Sequence, residues 1–281
     1  MESTLRNIVN KLAVKGFRKA GGDSWELVMN QMFDLISTQC KEPEISSWKD
    51  ENGIIYKNFS LFFKGEKSNK IVVGAHYDSF EDTPGADDNA SAVAVLLALA
   101  RKLKNVKNLP YDTELVFYAC EEPPFFGSDA MGSFKHAISC NTENTAFMIC
   151  LEMVGYYSEM PNSQDYPLPL MSFIYGSKAN YLLLVSDFRS RNVLKAMYQE
   201  LKGSTMIYKR FVSPFKSFGL DWSDHRNYWS KKIPAIMVTD TSLFRNANYH
   251  KLTDTPDTLD YEKMSILTND LLKIITNIKL Q

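Results

Sequence analysis

The chain of 281 residues is 44% hydrophobic and 23% charged, with a formal net charge of −1. That is enough chain for one large α/β domain with a substantial core, and the balanced charge gives no global basis for binding nucleic acid or an anionic membrane. No apolar run approaches the roughly 20 residues needed to span a bilayer, so neither a nucleic-acid nor a membrane partner is expected.

The N-terminal stretch MESTLRNIVNKLAVKGFRKAGG carries five Lys or Arg residues but no long apolar segment. It reads as a surface helix rather than a secretory signal or transit peptide. After the break at Ala20-Gly21-Gly22-Asp23, SWELVMNQMFDLIS opens on Ser24 and places apolar residues at helical spacing, so residues 1–40 predict helix, turn, helix. Residues 54–64 predict a strand or hairpin arm, GEKSNK a polar turn, and KIVVGAHYD a short apolar strand. A helix is predicted over 88–104, with Val93, Leu96, Leu97, Ala100 and Leu103 in one stripe. TELVFYAC predicts a strand, 127–137 a short helix, FMICLEM and PLMSFIYG strands, and 180–202 a long helix. IPAIMVTD predicts a strand introduced by Pro234, and 261–280 a helix burying Ile266, Leu267, Leu271, Ile274, Ile275 and Ile278. Stretches 154–170 and 203–230 read as loops. The second holds Tyr208, Phe211, Phe215, Phe218, Trp222, Tyr228 and Trp229, which suit either a substrate pocket or a flap packed on the core. The alternation of strands and helices, with no linker or repeat, predicts a single α/β domain over 1–281, built on a mixed, mostly parallel central sheet flanked by helices.

The four cysteines, Cys40, Cys120, Cys140 and Cys150, form no CxxC pair. Cys120 and Cys150 end apolar runs, where a reduced Cys acts as a small hydrophobe, so no disulfide framework is expected. Reduced thiols and no signal in the chain lead to the expectation of a cytoplasmic protein, with a secreted mature form left open.

Metal-ligand residue types recur where predicted strands end or helices begin: His76 in VVGAHYDS, Asp88 in PGADDNASA, Glu121 and Glu122 after ELVFYAC, Glu152 in FMICLEM, and His250 in NYHKLTDTPDT. In open α/β sheets, sites form outside the carboxyl ends of strands. Each residue also has a bland role. Asp87 and Asp88 would serve as helix caps, and a Glu pair as a solvated edge. His136 is read as structural, and no His–Asn or His–Asp partner activates Cys120. Taken together, the ligand types at four strand ends favour a metal site. Zinc takes His nitrogen and carboxylate oxygen. A pair of zincs needs a shared carboxylate, and would polarise a carbonyl and acidify a bridging water. Five protein ligands suit two zincs. Glu121 is then left as a general base, and Asp78 is placed to fix the His76 tautomer.

The segments HYDS, PGADDNASA, EE-x4-GS, LEMVGY, SDH, IPAIMVTD and NYHKLTDTPDTLD, in that order, resemble the di-zinc aminopeptidase family. That family includes bacterial leucyl aminopeptidases, aminopeptidase Y and glutamate carboxypeptidases, with glutaminyl cyclases as an offshoot. The resemblance covers about residues 53–280 and implies a zinc exopeptidase (phosphorylase/hydrolase-like) fold; residues 1–50 carry no motif that can be placed. It implies that His76 and Glu152 bind one zinc, Glu122 and His250 the other, and that Asp88 bridges them. Glu121 would be the base and then the proton donor. Asp78 would orient His76, Asp224 and His225 would support the site or line its pocket, and the Asp88–Asn89 peptide would be cis. The chain departs from the pattern in three places. Glu152 stands where Asp is frequent. FGLDW carries no oxyanion-stabilising Tyr ahead of SDH, which leaves Tyr249 for that role. Pro123 and Pro124 stiffen the loop after Glu122, with Phe125 and Phe126 narrowing the pocket.

The leading expectation is a zinc aminopeptidase with two ions, acting on peptides with a free N-terminus through a metal-bridged hydroxide, with Glu121 as base. The alternatives are a single-zinc glutaminyl cyclase and a non-catalytic binding homologue. A cyclase would have Trp where Tyr249 stands and would lack the clear Ser223-Asp224-His225 segment. Carboxypeptidase action needs a basic clamp, for which Arg210 and Arg226 are the candidates.

Overall fold

The computed structural model describes residues 1–168, 170–213 and 219–280; Phe215 and Phe218 of the aromatic stretch lie outside them. Among the described residues one sheet of eight strands is formed by β1 (Glu44–Lys49), β2 (Ile55–Phe63), β3 (Lys67–His76), β4 (Tyr111–Tyr118), β5 (Thr145–Glu152), β6 (Tyr181–Asp187), β7 (Ile207–Ser213) and β8 (Ala235–Thr239). Their order is β1-β2-β4-β3-β5-β8-β6-β7. The central strands β4, β3, β5 and β8 run parallel, as does the β6–β7 pair, while β1–β2, β2–β4 and β6–β8 are antiparallel. The helices are α1 (Glu2–Leu12), α2 (Trp25–Gln39), α3 (Ala92–Leu103), α4 (Gly132–Ser139), α5 (Met171–Tyr175), α6 (Arg191–Glu200), α7 (His225–Ser230) and α8 (Tyr261–Asn277).

The central strands are continuous apolar runs because both of their faces are covered. Alternate residues divide between two cores. Ile71, Val73, Leu115, Phe117, Ile149 and Val238 meet residues of α1, α2, α3, α6 and α8. Val72, Val116, Met148, Cys150 and Met237 meet Ala137 of α4 and Tyr228 and Trp229 of α7. The fold is thus α/β with a mixed sheet between helical layers, as the sequence predicts. No helix among the described residues is long and apolar enough to cross a membrane.

Several predicted elements need correction. Within the predicted strand PLMSFIYG, Met171–Tyr175 form instead the short helix α5, whose Phe173 and Ile174 are 87% and 77% exposed. The run is too brief, and has no neighbouring strand, to be read as sheet. The predicted long helix 180–202 is a strand followed by a helix: YLLLVSD is β6, buried between β8 and β7, and α6 starts only after Ser190. The GEKSNK turn ends early, with β3 already begun at Lys67. β1 was not predicted, since EISSWK is an exposed edge strand without apolar alternation. Helix α3 begins at Ala92, not Asp88, and α4 at Gly132, not 127. The 203–230 region contains β7 and α7. Its Tyr208, Tyr228 and Trp229 are buried, while Phe211 and Trp222 line a pocket.

Candidate metal centre

The topology gathers the predicted ligands at the carboxyl ends of the central parallel strands. His76 is the last residue of β3 and Glu152 the last of β5. Glu121 and Glu122 lie just beyond β4, Asp88 lies in a tight helical turn between β3 and α3, and His250 lies in the loop between β8 and α8. Cys120, Met153 and His250 have positive φ angles of 62°, 47° and 55°. Non-glycine residues rarely adopt this region, which costs on the order of 1–3 kcal/mol each. The cost falls at the bends that aim Glu121, Glu152 and the His250 ring.

Asp88 stands between the two histidines. Its Oδ1 is 3.4 Å from His76 Nε2, and its Oδ2 is 3.2 Å from His250 Nε2. Glu152 Oε2 lies 3.4 Å from His76 Nε2, and Glu122 Oε2 lies 3.4 Å from His250 Nε2. Two donor sets result, His76–Asp88–Glu152 and Asp88–Glu122–His250, sharing the one carboxylate. Glu121 belongs to neither, and its Oε2 is 4.0 Å from His76 Nε2. Both His76 nitrogens and Glu122 Oε1 are buried without a hydrogen-bond partner. Buried polar groups left in this way call for an explanation, and nitrogen and carboxylate donors converging on two points fit a pair of divalent cations.

The charge environment is mutual. Burial works against a protonated His76, but Glu152, Asp78 and Asp88 outweigh it and push the imidazole well above its usual range. His250 is pushed up to about 10 against its burial by Asp88 and Glu122. Burial alone would raise Asp88, yet hydrogen bonding to His250 and His76 holds it below the ordinary carboxylate range. Glu121 is raised well above a normal glutamate, first by burial and also by Glu152 and Glu122. Glu122 is raised to about 8 by burial and by Asp88.

Residues outside the donor sets hold them in place. Asp78 Oδ1 is 3.5 Å from His76 Nδ1, and its two oxygens accept the backbone N–H groups of Glu121 at 3.2 Å and Glu122 at 3.0 Å. One carboxylate thus fixes the backbone of both glutamates and faces the His76 imidazole. Asp254 accepts the backbone N–H groups of Asp87 and Asp88 at 2.9 and 3.1 Å. The Asp88–Asn89 peptide is cis, and the Asn89 side chain bonds Leu151 O and Met153 N on either side of Glu152. Asp87 caps no helix. It accepts from Gly155 N and Asn246 Nδ2. The Ser223 hydroxyl donates to Glu152 Oε2 at 2.6 Å. The rings of Phe80 and Tyr249 stack on His250, with centroids 3.9 and 3.8 Å from the imidazole.

Arg18 ties the N-terminal segment to this framework. It is fully buried and donates to Leu12 O, Tyr77 O, Pro84 O and Gly85 O. Gly85 has φ 61°, and a Cβ there would fall 2.3 Å from Asp88 O and 2.6 Å from Arg18 Nη2, so only glycine fits. Arg18, from the stretch 1–50 where no motif could be placed, therefore supports the loops that carry His76 and Asp88.

Other predicted residues lie as follows. Asp224 is fully buried, and its carboxyl is pushed up to about 7, mainly by burial. His225 packs edge-on against Trp229, and its Nε2 meets Leu220 O at 2.8 Å. Within the SDH segment it is Ser223 that reaches a member of the donor sets, Glu152. The Pro123–Pro124 bond is cis; Pro123 and Phe126 line the ligand cleft, whereas Phe125 packs edge-on against Tyr56. Cys120 is buried, and burial pushes its thiol up, which suits no nucleophile. All four cysteines are free.

Next to the ligand cleft is an apolar pocket of about 830 Å³, counted with its open mouth, lined by Leu183, Val185, Phe211, Leu220, Met237 and Phe244. Glu152, Trp222 and Tyr249 are walls of both spaces.

Residues 58–275 match the sequence profile of peptidase family M28. The chain belongs to that family. Family M28 peptidases are zinc-dependent, and the two donor sets give this M28 peptidase groups able to bind metal. It is 42% identical over 235 residues to the uncharacterized protein YfbL of Escherichia coli, covering 80% of this chain and 72% of that one. Its fold is similar to that of the Legionella pneumophila LapA aminopeptidase, with TM-score 0.73 and 16% identity over 99% of this chain and 72% of LapA. It is also similar to that of Porphyromonas gingivalis glutaminyl cyclase, with TM-score 0.69 and 16% identity over 98% of this chain and 97% of the cyclase.

Arg18, Phe80, Asn89, Ser223 and Asp254 were not read from the sequence as site residues. Asp254 sits in the TDTPDT loop after His250, and Ser223 opens the SDH segment, so both lay inside recognised motifs. Arg18 had no such signal.

Proposed function

We propose that this M28 peptidase is a zinc-dependent aminopeptidase that removes N-terminal residues from peptides. The observation that carries the reading is Asp88, whose two oxygens face the histidines of two separate donor sets. Two zincs, one held by His76, Asp88 and Glu152 and one by Asp88, Glu122 and His250, would supply Lewis acidity to a scissile carbonyl and to a water.

The chain's own residues do the remainder. Glu121 sits in the cleft outside both donor sets, where its carboxylate is placed to take a proton from the attacking water and return it to the leaving amine. Tyr249 lines the cleft and offers a hydroxyl to the developing oxyanion. Asp78, Asp254 and Ser223 hold the acidic groups in place, so little reorganisation accompanies the reaction. The adjoining pocket, with Phe211, Leu220 and Met237 in its wall, suits a large apolar N-terminal side chain.

The second reading, glutaminyl cyclisation, is favoured by one observation: the chain covers 97% of the structurally similar P. gingivalis cyclase. The two separate when a mixed peptide pool is incubated with zinc-loaded protein and followed by mass spectrometry, with a chelator control. Chelator-sensitive loss of N-terminal residues supports the aminopeptidase. Loss of ammonia confined to peptides beginning with Gln, with no shortening, overturns it in favour of the cyclase.

A further inference from the structure

The ligand cleft and the apolar pocket share Glu152, Trp222 and Tyr249, whereas Pro123 and Phe126 line the cleft alone. A peptide whose N-terminal side chain fills the pocket therefore carries its leaving portion past Pro123 and Phe126. One cation stands on that wall. Arg226 lies in the first turn of α7, with its guanidinium carbon 4.7 Å from the centre of the Phe126 ring. A Cβ built on Gly127 would fall 3.3 Å from Arg226 Nη1, so the guanidinium lies against both residues of the loop.

Both sides of this contact are anchored. The backbone N–H of Arg226 donates to Ser223 O at 3.1 Å, and the Ser223 hydroxyl holds Glu152. Phe126 follows Phe125, whose ring packs edge-on against Tyr56. Arg226 is half-buried, and among the described residues no carboxylate pairs with it. Arg210, the other cation that the sequence offers as a clamp, lies 4.0 Å over the ring of Tyr198 in α6, and Tyr198 lines neither the cleft nor the pocket.

The shape of a guanidinium limits what it takes. Its flat fork of donors matches a carboxylate in a bidentate pair, and stacking on an aromatic face leaves the donors at its edge free. A peptide offers a carboxylate beyond its scissile bond either as its own C-terminus or as an acidic side chain. In a dipeptide or tripeptide the C-terminus lies within about 7 Å of the scissile nitrogen.

We propose that Arg226 is a carboxylate-binding residue on the leaving side of the cleft, which makes the enzyme selective for dipeptides and tripeptides with a free C-terminus. The proposal rests on the aminopeptidase reading for the direction of the substrate, and on bound divalent cations to offset the four acidic groups of the cleft. Longer peptides, whose C-terminus runs beyond Arg226, gain nothing from it.

The test compares kcat/KM for Leu-Gly and Leu-Gly-Gly, each beside its C-terminal amide, in zinc-loaded wild type and R226Q. A hydrogen-bonded contact with a charged group is worth about a 10–100-fold preference, and wild type should favour at least one free acid over its amide by that factor. In R226Q the ratio should fall towards one. A ratio taken within one protein is blind to any general loss of activity. R226K, which keeps the charge and loses the fork, should give an intermediate ratio and serves if R226Q fails to fold. Equal rates for acids and amides overturn the proposal and leave the aminopeptidase standing, as does an acid preference that survives in R226Q. A preference confined to the amide Leu-Glu-Gly-NH2 over Leu-Gly-Gly-NH2 overturns the selectivity for short peptides and assigns Arg226 to acidic side chains. If no peptide is shortened, the aminopeptidase reading fails. Calorimetric binding of Leu-Gly-Gly and its amide to wild type and R226Q then decides the carboxylate site by itself, and equal affinities in wild type overturn it.

Discussion

The hydroxyl of Ser223 donates a 2.6 Å hydrogen bond to Oε2 of Glu152, the oxygen that also lies 3.4 Å from His76. A donor on a ligating carboxylate fixes its orientation, and removing such a partner typically lowers metal affinity by about 10–100-fold. S223A should therefore weaken the zinc proposed at His76, Asp88 and Glu152 within that range and leave the other proposed ion unchanged. Competition with a chromogenic chelator measures both constants. Equal weakening of the two ions would contradict the division of ligands into two sets.

Glu121 stands inside the cleft but outside both donor sets. E121Q keeps the shape and loses the proton-accepting oxygen. It should retain the zinc content of the wild type while kcat falls by about 10²–10⁴. Elemental analysis beside steady-state kinetics checks both halves. Wild-type turnover in a zinc-loaded E121Q would remove Glu121 from the reaction.

Chelation should destabilise the fold. Without cations, Asp88, Glu121, Glu122 and Glu152 crowd one buried cleft. A ligand at a thousand times its Kd contributes about 4 kcal/mol to the folded state, and each kcal/mol moves Tm by about 2–4 °C at this size. A fall of about 10 °C with chelator, reversed by zinc, is expected in a thermal melt.

The Glu114–His136 pair sets a pH window for stability. Glu114 is buried, which would raise it, but His136 and Lys70 hold it down to about 2. Its contribution is full above its ordinary value near 4.5 and is lost as pH falls towards 2. His136 is raised to about 9, so its contribution is full below about 6.5 and is lost as pH rises through 9. The stability gap between wild type and E114Q, from urea midpoints, should be widest between about pH 4.5 and 6.5. A gap that widens from pH 6 to pH 9 would reverse the assignment.

R18M should cost about 3–5 kcal/mol in urea unfolding, since it removes the buried donors facing Leu12 O, Tyr77 O, Pro84 O and Gly85 O. Tyr77 and Gly85 flank His76 and Asp88, so zinc affinity should fall with stability.

The parts of the site carried by β3, β4 and β5 were legible because each strand is a short apolar run that stops at a ligand, and the parallel order of these strands brings those stops together. His250 was legible only through its motif. Two of the errors have one physical source. SFIY and YLLLVSD are apolar runs too short for periodicity to separate strand from buried helix; the first is an exposed helical turn and the second an internal strand. EISSWK escaped notice because an edge strand facing solvent needs no apolar face. Arg18 was invisible for a different reason. Its meaning lies in carbonyl oxygens about sixty positions along the chain, and a lone arginine in a basic helical stretch looks like any solvated one.

The family profile begins at residue 58, yet the guanidinium beneath the His76 and Asp88 loops belongs to residue 18. The profile boundary is therefore not a boundary of autonomous folding. A fragment cut to the matched region would keep every side chain of the two donor sets but lose the keystone beneath two of their loops. Trp25, which stacks on Tyr77 at 5.3 Å, would be lost as well. Through Arg18 and Trp25 the first forty residues brace the loops behind the cleft, so any shortened form meant for study should start ahead of them.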